Sequence, residues 1–284
     1  MALYETLYDS AFALGFAGFG ASGASALGPE AERRLSDYLA EGRNADMDYM
    51  ARNVAKRLDV TLLVDGARTV MGFLAPYDHH NDPRIASFAH GEDYHKVIKD
   101  RIHLFVEENR DTLDAAAGGA FACRVFTDSA PVMEREWAVR CGLGFIGCNN
   151  FLISPTAGLR TLIGILVCNI PYEEIDCMRL RRQKASIPPD CGKCMKCIKA
   201  CPSGALEAPY RLDARKCISF LTIEARERDY SEEKAHGHLF GCDCCLDACP
   251  WNVELPGWPE FSCNAGRLAD NPDDIFSIFA RQRK

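Results

Sequence analysis

Hydrophobic residues recur along the chain with two different periods. The runs "RTVMGFLAPY" (68–77) and "LRTLIGILVCNIP" (159–171) are almost wholly apolar, which predicts strands buried on both faces. "GFAGFGAS" (15–22) and "CRVFTDSAP" (123–131) predict a further strand each, closed by a turn. Helical spacing takes over elsewhere. Residues 2–14 read as a helix, and "GPEAERRLSDYLAEG" has Pro29 near its start and Gly42 at its end, as helix signals require. Tyr94, Ile98, Ile102, Phe105 and Val106 mark one face of a helix from Asp93 to about Leu113. "VMEREWAVRCGLG" predicts a short helix stopped by glycine, and "NDPRIASFAHGE" a loop. Strands and helices alternate to about residue 175, which predicts an α/β layer domain. "EEIDCMRLRRQKASIPPD" (173–190) reads as a charged linker ending in prolines. The expected division is 1–178 for this domain, 179–260 for a cysteine-rich module, and 261–284 for a short tail.

The module carries the strongest chemical signal. "CGKCMKCIKACP" spaces Cys191, Cys194, Cys197 and Cys201 as C-x2-C-x2-C-x3-C-P, the ferredoxin run for a 4Fe-4S cluster. Its fourth cysteine ligates a second cluster, so the run predicts a partner downstream. "GCDCCLDACPW" (241–251) is that partner: Cys249-Pro250 mirrors Cys201-Pro202, and counting back gives Cys245 and Cys242. One further step back falls on Leu239, and Cys217 in "ARKCISFLT" takes its place. The expected sets are Cys191, Cys194, Cys197 and Cys249 for cluster 1, and Cys201, Cys217, Cys242 and Cys245 for cluster 2. Cys244 is left over. Zinc prefers two separated cysteine pairs, and disulfides need an oxidising compartment that nothing here signals. Cys123, Cys141, Cys148, Cys168, Cys177, Cys244 and Cys263 are most simply reduced thiols.

The 284 residues are 48% hydrophobic and 26% charged, an ordinary globular balance. No basic leader precedes the apolar "AFALGFAGFGASGASALG", and no apolar run reaches the roughly 18–20 residues of a membrane span. A cytoplasmic protein without membrane contact is expected. Net charge is −7, yet residues 178–216 carry +7, which leaves −14 on the rest. This excess either compensates the anionic clusters or presents a basic face to a polyanion such as RNA.

A ferredoxin module moves single electrons and must feed some centre. No G-x-G-x-x-G follows a strand, so a Rossmann dinucleotide site is unsupported, and "GFGASG" reads as a turn. "DYHKVI" comes close to a D-x-H-x-x-G cobalamin pattern, but Ile98 stands where glycine is needed, so His95 reads as a packing or helix-surface histidine. Asp128 follows a strand in "FTDSAPVMERE", where it serves either as a turn or cap residue or as a catalytic group at the sheet edge.

Taken in order, "MDYMARNVAKRLD", "GEDYHKV", "FTDSAPVMERE", "GLGFIGCNNFLISPTAG", "CGKCMKCIKACPSGA", "RKCISFLTIE" and "FGCDCCLDACPWN" make the chain resemble, over nearly its whole length, the cobalamin- and iron–sulfur-dependent epoxyqueuosine reductases. Reductive dehalogenases share the general plan. The resemblance implies an α/β (α+β) nitroreductase-like cobalamin-binding domain followed by a ferredoxin-like double 4Fe-4S module. It implies cobalamin bound base-off beside the nearer cluster, with no histidine ligand. It implies Asp128 as proton donor, raised in pKa by burial against the corrin. Cofactor contacts are implied at Arg57, Asp128, Leu152, Ile163, Ser219, Cys242 and Asp243. The implied reaction is reduction of epoxyqueuosine to queuosine in the anticodon loop of tRNA, with electrons from a flavodoxin or ferredoxin, by a monomer. The family commonly has lysine at the position of Cys148. Longer members continue beyond "DDIFSIFARQRK" with a basic segment and helical repeats that grip tRNA. The alternatives are a cobalamin and iron–sulfur reductase of a small molecule, and an electron-transfer protein without its own substrate.

Overall fold

A computed structural model describes residues 2–279, so 280–284 of the expected tail lie outside the described residues. Among them the strands are β1 (Gly18–Gly23), β2 (Thr69–Pro76), β3 (Cys123–Phe126), β4 (Phe145–Ile146), β5 (Leu152–Ile153), β6 (Thr161–Cys168), β7 (Leu206–Ala208) and β8 (Arg211–Leu212). The main sheet has the order β1-β2-β6-β3, and every neighbouring pair is antiparallel. β4 with β5, and β7 with β8, form small hairpin-like pairs.

The two apolar runs become the two central strands, and the alternation of side chains across a strand divides their residues between two cores. Met71, Phe73 and Ala75 of β2, with Leu166 and Cys168 of β6, face one side. There they meet Tyr4, Leu7 and Ala11 of α1 (Leu3–Ala13). Val70 and Leu74, with Ile165 and Val167, face the other side, where Ala31 of α2 (Pro29–Ala40) packs. α3 (Val54–Leu58) buries the Arg57 side chain. α4 (Tyr94–Glu108) lays Ile98, Ile102 and Phe105 on the first side, and its first turn is capped by Asp93. The helix expected to run on to Leu113 breaks at Asn109, and α5 (Arg110–Ala116) restarts it. On the second side α6 (Glu134–Arg140) buries Trp137 and Ala138. The chain leaves α6 through Gly142 at φ +78°, a left-handed conformation that glycine adopts at least cost. Layers of helix on both faces of a sheet thus form, as α+β rather than parallel α/β architecture.

Two expectations are corrected. "GFGASG" is the edge strand β1, not a turn. A Cβ on Gly20 would stand 2.1 Å from the carbonyl oxygen of Cys141, so glycine there admits a close backbone approach. The charged "linker" is helical instead, as α7 (Tyr172–Ile175) and α8 (Met178–Ala185). α8 is fixed to the core. Leu180 is buried, and the Gln183 side chain donates to the carbonyls of Phe19 and Gly142 while accepting from Tyr4 Oη.

The cysteine module holds α9 (Lys196–Ala200), α10 (Glu232–Ala235) and α11 (Cys244–Asp247). Beyond it the chain returns to the first core, where Trp258, Phe261, Leu268 and Ile275 pack with Phe16 and Phe73. Among the described residues no helix is long and apolar enough to cross a membrane.

Candidate active site

The C-terminal end of β3, the start of β6, the β5 region and the cysteine module enclose a cavity of about 360 Å³. Its apolar wall includes Leu152, Leu159, Ile163, Leu206, Leu212 and Ile218. Its polar members include Tyr94, Asp128, Glu134, Asn150, Thr161 and Ser219. Cys201, Cys217, Cys242 and Cys245, the complete set expected for cluster 2, line the same cavity, with Cys244 beside them. The set expected for cluster 1 lines a separate small pocket: Cys191, Cys194, Cys197 and Cys249, with Cys148, Asn149 and Trp251. Sulfur-lined concavities of four cysteines each fit two iron–sulfur cubanes. Burial pushes the Cys197, Cys217, Cys245 and Cys249 thiols up, a cost that iron offsets by replacing their protons with positive charge.

Two further cysteines lie against the ligand sets. Cys148 Sγ is 3.3 Å from Cys191 Sγ, and its backbone N–H points at the same sulfur from 3.5 Å. Cys244 Sγ is 4.0 Å from His238 Nε2, and Cys242 completes a close group with them. Gly241, at φ +74°, turns the chain into this segment, and Ala86 leaves no room for a Cβ there.

Asp128 lies two residues past the end of β3 in a left-handed conformation, φ +50°, which aspartate tolerates better than most side chains. Its side chain is 70% exposed. Tyr94 Oη donates to Asp128 Oδ2 at 2.6 Å, and His95 Nε2 stands 3.8 Å from the same oxygen. His95 Nδ1 is engaged with Asp93 Oδ1 at 2.8 Å. The Asp128 backbone N–H donates to Glu134 Oε1 at 3.0 Å, which ties the Asp128 loop to the first turn of α6. Burial, reinforced by the nearby Asp128 charge, pushes the Glu134 carboxyl up to about 8. The cavity therefore contains two carboxyl groups in unlike surroundings. Glu134 and Tyr94 were not singled out as site residues from sequence: Tyr94 reaches Asp128 from a distant helix, and Glu134 acts through a backbone N–H that no residue type marks.

The other expected contacts divide. Leu152, Ile163, Ser219 and Cys242 line the cavity with Asp128. Arg57 and Asp243 do not. Arg57 is buried and donates to the carbonyls of Tyr49 and Arg52. The Asp243 carboxylate accepts the Ser87 N–H at 2.7 Å, and burial pushes its carboxyl up.

Fold and site together define an iron–sulfur redox protein whose inner cluster opens onto a carboxyl-bearing cavity. The family model "Epoxyqueuosine reductase QueG, DUF1730" matches residues 57–129, and "4Fe-4S double cluster binding domain" matches residues 190–252. The epoxyqueuosine reductase of Cyclobacterium marinum is 38% identical over 87% of this chain and 78% of that relative. That of Burkholderia pseudomallei is 35% identical over 93% of this chain and 71% of the relative. The chain belongs to the epoxyqueuosine reductase family. A crystal structure of epoxyqueuosine reductase with a tRNA-Tyr epoxyqueuosine-modified stem loop superposes with a TM-score of 0.74 at 26% identity, over 92% of this chain and 68% of that one. The epoxyqueuosine reductase of Streptococcus thermophilus shares the fold, with a TM-score of 0.78 at 22% identity, over 98% of this chain and 75% of that one.

Proposed function

We propose that this protein reduces epoxyqueuosine in tRNA to queuosine, with cobalamin in the cavity and electrons delivered through two 4Fe-4S clusters. One observation carries this reading: a single cavity joins the Asp128 and Glu134 carboxyls to the four cysteines of cluster 2. The reaction consumes two electrons and two protons, converts the epoxide to an alkene, and releases its oxygen as water. Cobalamin supplies a strongly reducing, nucleophilic cobalt for breaking the carbon–oxygen bond. The walls suit it. Leu152, Ile163 and Ile218 offer apolar surface to a macrocycle. Asn150 Nδ2 and Thr161 Oγ1 are buried without a hydrogen-bond partner and face a cavity that a ligand rich in peripheral amides would fill. Ser219 adds a hydroxyl on the cluster side. Arg57 and Asp243 act from behind the wall, by fixing the loops that carry Tyr49 and Ser87. His95, with Nδ1 on Asp93 and Nε2 near Asp128, would not serve as a cobalt ligand, and cobalamin held here would be base-off.

Asp128 delivers the proton to the leaving oxygen. Its exposed position at the cavity lets it meet a substrate arriving from solvent, and the Tyr94 hydroxyl fixes one carboxylate oxygen so that the other is presented. Glu134 holds the loop through the Asp128 N–H. The finer reading of the fold is a nitroreductase-like domain over 1–178 with a ferredoxin-like module over 179–260. A flavodoxin or ferredoxin supplies electrons, and the protein works as a cytoplasmic monomer.

The test is anaerobic reconstitution with iron, sulfide and cobalamin, followed by incubation with a tRNA stem loop bearing epoxyqueuosine. Mass spectrometry of the nucleosides should show queuosine. Bound cobalamin without conversion would overturn the assigned substrate, and loaded clusters without cobalamin binding would overturn the cavity's assignment.

A further inference from the structure

Half of the basic residues in 178–216 are answered by ion pairs inside the molecule. Arg181 pairs with Asp176, Arg211 with Glu41 and Glu207, Arg215 with Asp213, and Lys216 with Glu207. Arg179 reaches Asp9, and Lys184 donates to Tyr172 Oη. Arg182, exposed on α8, has no ion pair among the described residues either, but Lys193, Lys196 and Lys199 lie together in the cysteine segment. All three are exposed, and none enters an ion pair among the described residues. They sit in the segment that carries Cys191, Cys194 and Cys197. Lys196 and Lys199, three apart on α9, share a side of that helix. Lys196 is close enough to Cys249 to act electrostatically on its thiol. Met195 stands exposed between the lysines. The neighbouring acid, Asp190, turns its carboxylate to the Gly192 N–H at 2.6 Å.

The cradle beneath these lysines is the outer of the two. Of the residues that line it, Asn149 alone also lines the large cavity, whereas all four cysteines of the other set face that cavity. Electrons bound for the cavity thus enter most directly at cluster 1 and leave from cluster 2. Exposed cations around a small apolar contact suit a brief encounter. Charge raises the rate of meeting, and the small contact lets the partners separate again.

We infer that Lys193, Lys196 and Lys199, with Met195 at their centre, form the docking face for an acidic one-electron carrier protein. The inference rests on the reading that the clusters feed the cavity. In each encounter the carrier is oxidised by one electron and cluster 1 is reduced by one. Two encounters supply the two electrons of a turnover. RNA is the other polyanion such a face could hold. However, these lysines belong to the cradle outside the cavity, and the modified nucleoside must reach Asp128.

The experiment uses cluster-loaded protein and follows cluster bleaching in a stopped-flow instrument. The electron sources are a photoreduced flavodoxin, as the acidic carrier, and titanium(III) citrate, as a small reductant. Replacing the three lysines together (Lys193→Gln, Lys196→Gln, Lys199→Gln) should slow reduction by flavodoxin roughly tenfold or more. It should flatten the salt dependence, and it should leave reduction by titanium and binding of the tRNA stem loop unchanged. The corresponding triple arginine variant keeps the charge and should behave as the wild type. Equal flavodoxin rates in glutamine variant and wild type overturn the face alone. Loss of stem-loop binding with donor reduction intact assigns it to RNA and overturns the inference. A wild type reduced by titanium but never by flavodoxin refutes the protein-donor reading, and the face with it. The wild type is a test in its own right: its reduction by flavodoxin must slow as salt is added, and a salt-independent rate overturns the inference even if the glutamine variant fails to load its clusters.

Discussion

Asp128 and Glu134 share a cavity and have different surroundings, so their substitutions should part company. Asp128→Asn keeps the shape and the hydrogen bond from Tyr94 but removes the acid. Its single-turnover rate should fall by ~10²- to 10⁴-fold, with the melting temperature nearly unchanged. An early-melting variant that turns over normally would return Asp128 to a turn role. Glu134 has its pKa raised in the folded protein, to about 8. A group raised in this way contributes stability that is fully present below the ordinary carboxylate range and is lost as pH rises through about 8. Glu134→Gln removes the titration. The melting temperature of the cofactor-free wild type should therefore fall more steeply between pH 5 and 9 than that of the variant, and parallel curves would sink the assignment. The cysteine register is decided at this scale too. Cys245→Ala should cost one cluster, taking iron from about eight atoms per chain to about four, while Cys244→Ala should keep about eight. The reverse outcome would exchange the two ligands.

At the scale of elements, α8 shows what periodicity conveys and what it omits. Its charged face and proline-ended exit read as a linker, because Leu180 and Gln183 are the residues that hold it and a lone leucine and glutamine make no pattern. Gln183 meets two backbone carbonyls and a buried tyrosine hydroxyl. Gln183→Ala should remove these hydrogen bonds, although Tyr4 Oη still donates to the Phe19 carbonyl at 3.1 Å, and cost about 1–3 kcal/mol, read as a lower denaturation midpoint with the slope retained. An unchanged midpoint would mean that water replaces the side chain. β2 and β6 were legible because both their faces are buried, which makes the apolar runs continuous. β1 was half legible: its glycines look like a turn until Cys141 is seen against Gly20. The cluster ligands were legible because a cubane needs several thiolates close together, and chain turns of two or three residues supply them. The position of Asp128 at the cavity was legible through its motif. Tyr94 and Glu134 were not, since Tyr94 comes from a distant helix and the Glu134 bond goes to a backbone N–H, which leaves no mark in residue type.

At the scale of the whole molecule, the segment after the cysteine module joins module and sheet into one body. Trp258 is 4% exposed and packs edge-on to Phe16 and flat against Phe261. Its indole N–H donates to the Gly15 carbonyl at 2.8 Å, and the Arg101 guanidinium lies 3.8 Å over its ring. Phe240, only two residues before Cys242, belongs to the same core as Phe73 of the central strand. The sheet domain cannot lose this core while the residues around cluster 2 keep their places. Truncating a buried aromatic of this size costs ~3–5 kcal/mol. Trp258→Ala should therefore shift the far-ultraviolet transition and the loss of cluster absorbance to lower denaturant by the same amount, in one coincident step. If the clusters bleach at the wild-type midpoint while the helical signal moves, the module is a separate unit of stability. Coincident movement would instead mean that the sheet's core and the cluster that faces the cavity are held by one cooperative structure, so that a defect outside both cluster cysteine sets still lowers the iron content of the protein.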